Sequence, residues 1–192
     1  MTRTRAVEQA LPGFADVITD PARVAGGRAG LFAGVAWEHY LELQHRRATG
    51  ADIAHAWQSG RPVIGYDPHN GAPRYGTAPP DFVGCILGAG NGHWRSLAIE
   101  AKTRGSRLQQ SELEVHQREG LATIAGAGGV ALVAIELRDH GGRWVIPWRE
   151  LDARWNRAHG GASVGPADLL GFELVDHPAG YLAAFVPGGR HA

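Results

Sequence analysis

The eight residues Val130–Leu137 form an apolar run broken only by Glu136, and the glycine-rich stretch 126–129 stops whatever precedes it. A run this short and this continuous predicts a buried strand. Such a strand needs sheet neighbours, and the flanking sequence supplies them. Residues 95–102 read as another apolar strand, ending in Glu100-Ala101-Lys102. Residues 111–125 between the two repeat at helical spacing, with Leu113, Gln117, Gly120, Leu121 and Ile124 on one face. Phe82–Leu87 predicts a further strand, joined to the second through the turn-forming Gly88-Ala-Gly-Asn-Gly92 as a hairpin.

The outer elements follow the same logic. Residues 30–49 predict a helix with Leu31, Val35 and Glu38 near one face and Phe32, Ala36, Tyr40 and Leu43 beside it. Residues 51–58 and 144–147 predict strands, residues 148–159 a helix, and residues 181–186 a last strand. Residues 1–27, with Pro12, Pro21, Gly26 and Gly27, read as an N-terminal arm. Residues 28–192 then form a single domain, since 192 residues suit one core better than two. Residues 59–78 are rich in Gly, Pro, Asp and Asn and read as an excursion from that core. The fold class is mixed α/β, a central sheet flanked by helices.

Composition excludes several classes. No apolar run reaches membrane-spanning length, and no apolar signal core follows the first two arginines. The single cysteine, Cys85, rules out an intrachain disulfide and a cysteine zinc site. A reducing, cytoplasmic setting is expected. Net charge is zero. It divides unevenly, however: residues 1–110 hold 12 basic and 9 acidic side chains, and residues 111–192 hold 7 and 10. Lys102 is the only lysine among 19 basic residues. Where arginine serves every general need for positive charge, a lone lysine marks a place that wants a compact ammonium.

Lys102 lies in the stretch richest in chemistry. Asp81 opens one strand of the hairpin and Glu100 closes the next, so folding brings them together. Strand alternation puts Glu100 and Lys102 on one face. Two carboxylates and an ammonium suit phosphodiester hydrolysis. Magnesium prefers oxygen ligands and needs only one or two carboxylates, and it activates water. Asp81 and Glu100 are the candidate ligands, the Ala101 carbonyl completes the shell, and Lys102 attends the water. A turn residue and an exposed edge pair would give the same letters. Glu100, however, ends an apolar strand, where a charge needs a partner or a purpose. Gln117 is the polar member of its helix face; it either satisfies a backbone group or reaches a metal-bound water. Glu38 is a further candidate acid, required if two metals bind. Arg95, Arg104 and Arg107 flank the site and are candidate phosphate contacts, as are Arg61, Arg74 and Arg28.

These residues resemble the RecU-type Holliday-junction resolvases of the PD-(D/E)XK nuclease superfamily, over roughly Trp37 to Trp155. The resemblance is strongest at Pro80-Asp81-Phe82-Val83-Gly84, at Ala98-Ile99-Glu100-Ala101-Lys102-Thr103 and from Leu113 to His116-Gln117. It departs at Pro79-Pro80, where the family has a threonine, at Phe82 for its tyrosine, and in the few basic residues of 59–78. The resemblance implies a restriction-endonuclease-like core with a stalk-like excursion at 59–78. It also implies a homodimer nicking opposed strands of a four-way DNA junction symmetrically and leaving 5′-phosphates. Magnesium, replaceable by manganese, is the implied cofactor, and a recombinase an implied contact in DNA recombination and repair. Asp81, Glu100 and Lys102 carry over as the catalytic core, supported by Gln117 and Glu38. The alternatives are a restriction-like or repair nuclease on other DNA, and a non-catalytic junction-binding or recombinase-modulating protein.

Overall fold

The computed structural model describes residues 21–60, 63–66, 72–75, 79–88, 92–157 and 162–186. The chain divides into two compact units, Met1–Ala36 and Trp37–Ala192. Helix α1, Pro21–Gly50, begins in the first and continues into the second. It starts inside the stretch expected to be an arm; residues 1–20 lie outside the described residues.

The second unit is built on a five-stranded sheet in the order β1 (Ala54–Gln58), β4 (Phe82–Leu87), β5 (Trp94–Arg104), β7 (Val130–Leu137), β8 (Gly142–Pro147). Only β5 and β7 run parallel; the other neighbours are antiparallel. The parallel pair requires a crossover, and helix α2, Val115–Gly126, makes it. A short 3₁₀ turn, Gln110–Glu112, precedes α2, so the expected helical stretch begins as two pieces. The return into β7 is tight. Gly128 has φ +80°, and a Cβ on Gly129 would meet Ile124 and the Ser96 carbonyl at 2.7–2.9 Å. Helix α3, Trp148–Arg157, follows β8 and buries Trp148, Leu151 and Trp155 at helical spacing.

Two cores flank the sheet. On one face, Ala98 of β5 and Val133 and Ile135 of β7 pack with Leu121 of α2 and Leu151 of α3. On the other, Phe82, Ile99 and Leu132 pack under Trp37, Leu41 and Ala48 of α1. The buried stripe of α1 is therefore Trp37, Leu41, Gln44, His45 and Ala48. The expected stripe is wrong: Val35 and Leu43 are exposed, as is Phe32. Two polar residues, Gln44 and His45, occupy inward positions and hide the apolar period. His45 Nε2 lies 2.8 Å from the Tyr181 hydroxyl, and its ring stands edge-on to Phe82.

The described residues between 63 and 75 pair with each other and not with the five-stranded sheet. Within them β2 (Val63–Tyr66) and β3 (Pro73–Tyr75) form their own antiparallel pair. At the other end of the chain, residues 181–185 form a 3₁₀ helix and not the expected strand. The segment before it does the edge work. The Val145 N–H donates to the Phe172 carbonyl at 2.9 Å, and the Leu174 N–H donates to the Arg143 carbonyl at 2.8 Å. That partly seals β8, while the short β9 (Ser163–Val164) pairs with β6 (Leu108–Gln109).

Candidate active site

The catalytic candidates meet at the C-terminal end of β5. Ala98, Glu100 and Lys102 alternate onto the face that α2 covers, in line with Val133 and Ile135 of β7. Glu100 has no accessible surface, and the Lys102 side chain retains 13%. The Lys102 ammonium lies 2.8 Å from Glu100 Oε1 and donates to Gln117 Oε1 at 3.3 Å. Gln117 closes the triangle by donating from Nε2 to Glu100 Oε1 at 2.6 Å. Its oxygen also accepts the Glu114 N–H at 3.0 Å, so both readings of this residue describe it in part: it caps its own helix and it joins the site.

Asp81 sits one residue ahead of β4. Its Oδ2 accepts the Ala101 N–H at 2.8 Å, which ties the carboxylate to the strand between Glu100 and Lys102. Burial, and then the charge of Asp81, push Glu100 up to about 7, while Lys102 pulls the other way. Glu38, from α1, stands further back. Burial and the Asp81 charge raise its pKa, and Gln58 Nε2 donates to its Oε2 at 3.0 Å. Glu38 thus shares the field of the site, and Gln58 occupies one of its oxygens.

Lys102 and Gln117 compensate only one oxygen of the buried Glu100. Its Oε2 is buried without a hydrogen-bond partner, and Asp81 adds like charge beside it. Such a group is costly unless something else compensates it. A divalent cation fits that deficit. The two carboxylates and the Ala101 carbonyl are an all-oxygen donor set, suited to magnesium or manganese and not to zinc. Among the described residues no cluster of three or more His, Cys, Asp or Glu side chains forms a preassembled metal cage. Magnesium does not require one, because it keeps most of its waters. The site also lies near the start of α2, where the helix dipole favours an anion such as phosphate.

Two clefts are lined by other residues, one around Arg95, Trp148 and Phe185, the other around Tyr40, Glu136 and Arg143. The three described arginines of those expected to flank the site have partners elsewhere. Arg95 sits at the opposite end of β5 and donates to the Gly128 carbonyl at 2.7 Å, at the end of α2. Arg104 ion-pairs with Glu112, and Arg107 with Asp168 at 3.0 Å. The side chains of Arg28, Arg61 and Arg74 lie outside those described. Sequence reasoning missed Gln58 and Ser59, whose N–H donates to the Asp81 carbonyl at 2.8 Å. Ser59 follows from extending the β1–β4 pairing by one residue, whereas Gln58 lies within that pairing and its reach to Glu38 carries no local signal.

No family model and no curated protein matches the chain. Among solved structures, the chain is similar to Hjc, a Holliday junction resolvase from the archaeal hyperthermophile Archaeoglobus fulgidus. The similarity covers 71% of this chain and 91% of that one, at 24% identity and a TM-score of 0.43. Among the described residues no helix is long and apolar enough to cross a membrane.

Proposed function

We propose that this chain is a divalent-metal-dependent DNA endonuclease of the PD-(D/E)XK type that resolves four-way junctions, as the RecU-type enzymes it resembles do. The observation that carries the reading is the buried Glu100 carboxylate, with one oxygen on Lys102 and Gln117 and the other free beside Asp81. Asp81, Glu100 and the Ala101 carbonyl would hold magnesium, or manganese in its place. Bound there, the metal would polarise the scissile phosphate and lower the pKa of a water. Lys102 would orient such a water and offset charge building on the phosphate. Gln117 fixes the Lys102 ammonium against Glu100, so the ammonium is in place before substrate arrives. Glu38 is the carboxylate available to a second cation.

Two copies acting as a homodimer would match the two-fold symmetry of a junction and nick opposed strands, leaving 5′-phosphates. The β2–β3 hairpin takes the part of a stalk entering the junction centre. Arg104, nearest the site in sequence, contacts phosphate only by exchanging its ion pair with Glu112 for the backbone.

The test is cleavage of a synthetic four-way junction beside a matching linear duplex, with magnesium, by wild type and Asp81→Asn. Loss of a metal ligand is expected to slow cutting by roughly 100-fold or more. Paired symmetric nicks on the junction alone, lost in the variant, support the proposal. Equal cutting of the duplex leaves a nuclease of another substrate class. Binding without cutting in any divalent metal leaves a junction-binding protein.

A further inference from the structure

The sheet face that carries Glu100 and Lys102 is only partly covered. Among the described residues, every buried member of the core beneath α2 and α3 comes from β5 onward, and none comes from β1 or β4. The buried residues of β1 and β4 (Ala54, Phe82 and Ile86) all face α1 on the other side. The open part of the catalytic face therefore presents the alternate residues of these strands. They form rows through the register: Trp57 beside Val83 and Ala98, and His55 beside Cys85 and Ser96.

Trp57 is the residue of this open face that adjoins the site. It is 58% exposed, a large apolar surface to leave open on the edge strand β1. The next row on the same face contains Ser59, Asp81 and Glu100. Trp57 is thus two residues along and one strand across from Asp81, roughly 8 Å by strand geometry. Its neighbour on the face, His55, lies against the half-exposed Trp94 in a tilted pair, 5.1 Å between ring centroids. An aromatic strip therefore begins beside the carboxylates and runs back over the sheet. No carboxylate lies in the Trp57 row; the nearest to the strip is Asp52, which pairs with His55 Nε2 at 3.4 Å at the end away from the site.

We propose that Trp57 is a substrate-positioning residue, the platform on which an unpaired base close to the scissile phosphate stacks. The proposal rests on the nuclease reading and adds to it a recognition element for the state of the DNA. Sheet faces carrying exposed aromatic residues bind nucleic acid by stacking single bases, and stacking tolerates any sequence. A base inside a duplex has both π-faces occupied by its neighbours. A ring held this near the cut therefore selects bases freed at a branch, a gap or a distorted junction. Continuity with the catalytic row favours nucleic acid over a second copy of the chain as the occupant of this face.

The experiment uses four-way junctions carrying single 2-aminopurine substitutions within three nucleotides of the cut, and a fully paired duplex as reference. Binding is followed in the full-length Asp81→Asn background, and cleavage in the otherwise wild-type chain. Trp57→Ala is expected to weaken junction binding about 10-fold, within the range a lost base stack produces. It is expected to abolish the fluorescence change at one 2-aminopurine position and to alter duplex binding less than about twofold. Trp57→Phe is expected to retain most of the affinity and the signal, which a role in folding alone does not predict. Unchanged junction affinity and signal in Trp57→Ala, with wild type cutting normally, overturns the proposal and spares the nuclease. A shift from dimer to monomer in sedimentation on Trp57→Ala also overturns it, because the face is then an interface between copies. Failure of the wild-type chain to bind or cut any DNA overturns the nuclease reading and this proposal together.

Discussion

Glu100 and Lys102 show what a residue's surroundings reveal beyond its identity. Glu100 was conspicuous in the sequence because it ends an apolar strand, and Lys102 because every other basic residue is arginine. The structure adds that the pair is held by Gln117 in a closed triangle of polar contacts. A guanidinium cannot enter that triangle unchanged. It is planar and wider, and its charge is spread over three nitrogens. Lys102→Arg is therefore expected to keep the fold, with a melting temperature close to wild type, while kcat falls about 100-fold or more. A steady-state cleavage assay beside a thermal melt checks this, and near-normal cutting would remove Lys102 from the chemistry. The role of Gln117 was half legible, because its helix face showed an inward position but not which atoms it would meet. The Gln58 contact that steadies Glu38 joins residues 20 positions apart on different elements, and no local pattern announces it.

At the scale of elements, α1 was the least legible. Its inward stripe includes Gln44 and His45, so a search for apolar spacing settles on the exposed Val35 and Leu43 instead. His45 earns its inward place through the Tyr181 hydroxyl and the edge of Phe82. Burial lowers its pKa from 6.5 to about 4, against a smaller opposing pull from Glu42. The folded state therefore holds a neutral ring that the unfolded chain protonates more readily. This contribution is fully present above pH 6.5 and is lost as pH falls toward 4. It amounts to on the order of 3 kcal/mol. Urea titrations at pH 7 and pH 4.5 are expected to show a smaller loss of stability for His45→Gln than for wild type. Equal losses would show that the ring is not kept neutral. The excursion expected at 59–78 rests on Gly and Pro interrupting every period. Its internal β2–β3 pairing was not legible, since neither strand exceeds four residues. Replacing residues 61–78 by a short Gly-Ser linker that keeps Ser59 and Asp81 in place is expected to spare cutting of flexible branched DNA. Preference for the four-way junction over duplex should then fall toward unity; an unchanged preference in a competition assay would show that the hairpin is no stalk.

The molecule as a whole depends on a segment with little pattern of its own. The central strand–helix–strand was readable because β7 is a continuous apolar run and α2 repeats at helical spacing. Residues 162–186 carry no such period, and they fold by filling gaps that other elements leave. Val164 and Leu169 enter the core under α2 and α3, whereas Tyr181 and Leu182 enter the core under α1. Between these anchors the chain passes along β8 and satisfies part of its open edge at Phe172 and Leu174. Removing the segment would uncover both cores and expose a strand edge, a template for pairing with other chains. A chain ending at Arg157 is therefore expected to aggregate or to lose its cooperative melt. Because a truncation removes many contacts at once, a point variant isolates the packing. Leu182→Ala, at a fully buried position, is expected to cost about 2–5 kcal/mol, whereas Leu170→Ala, at an exposed one, should stay within about 0.5 kcal/mol. Urea midpoints at constant m-value measure both. A soluble, cooperatively melting chain that ends at Arg157 and still cuts DNA would make the segment an appendage. The expected pair of results would instead make it the part that joins the two cores into one folding unit, with the catalytic end of β5 held between them.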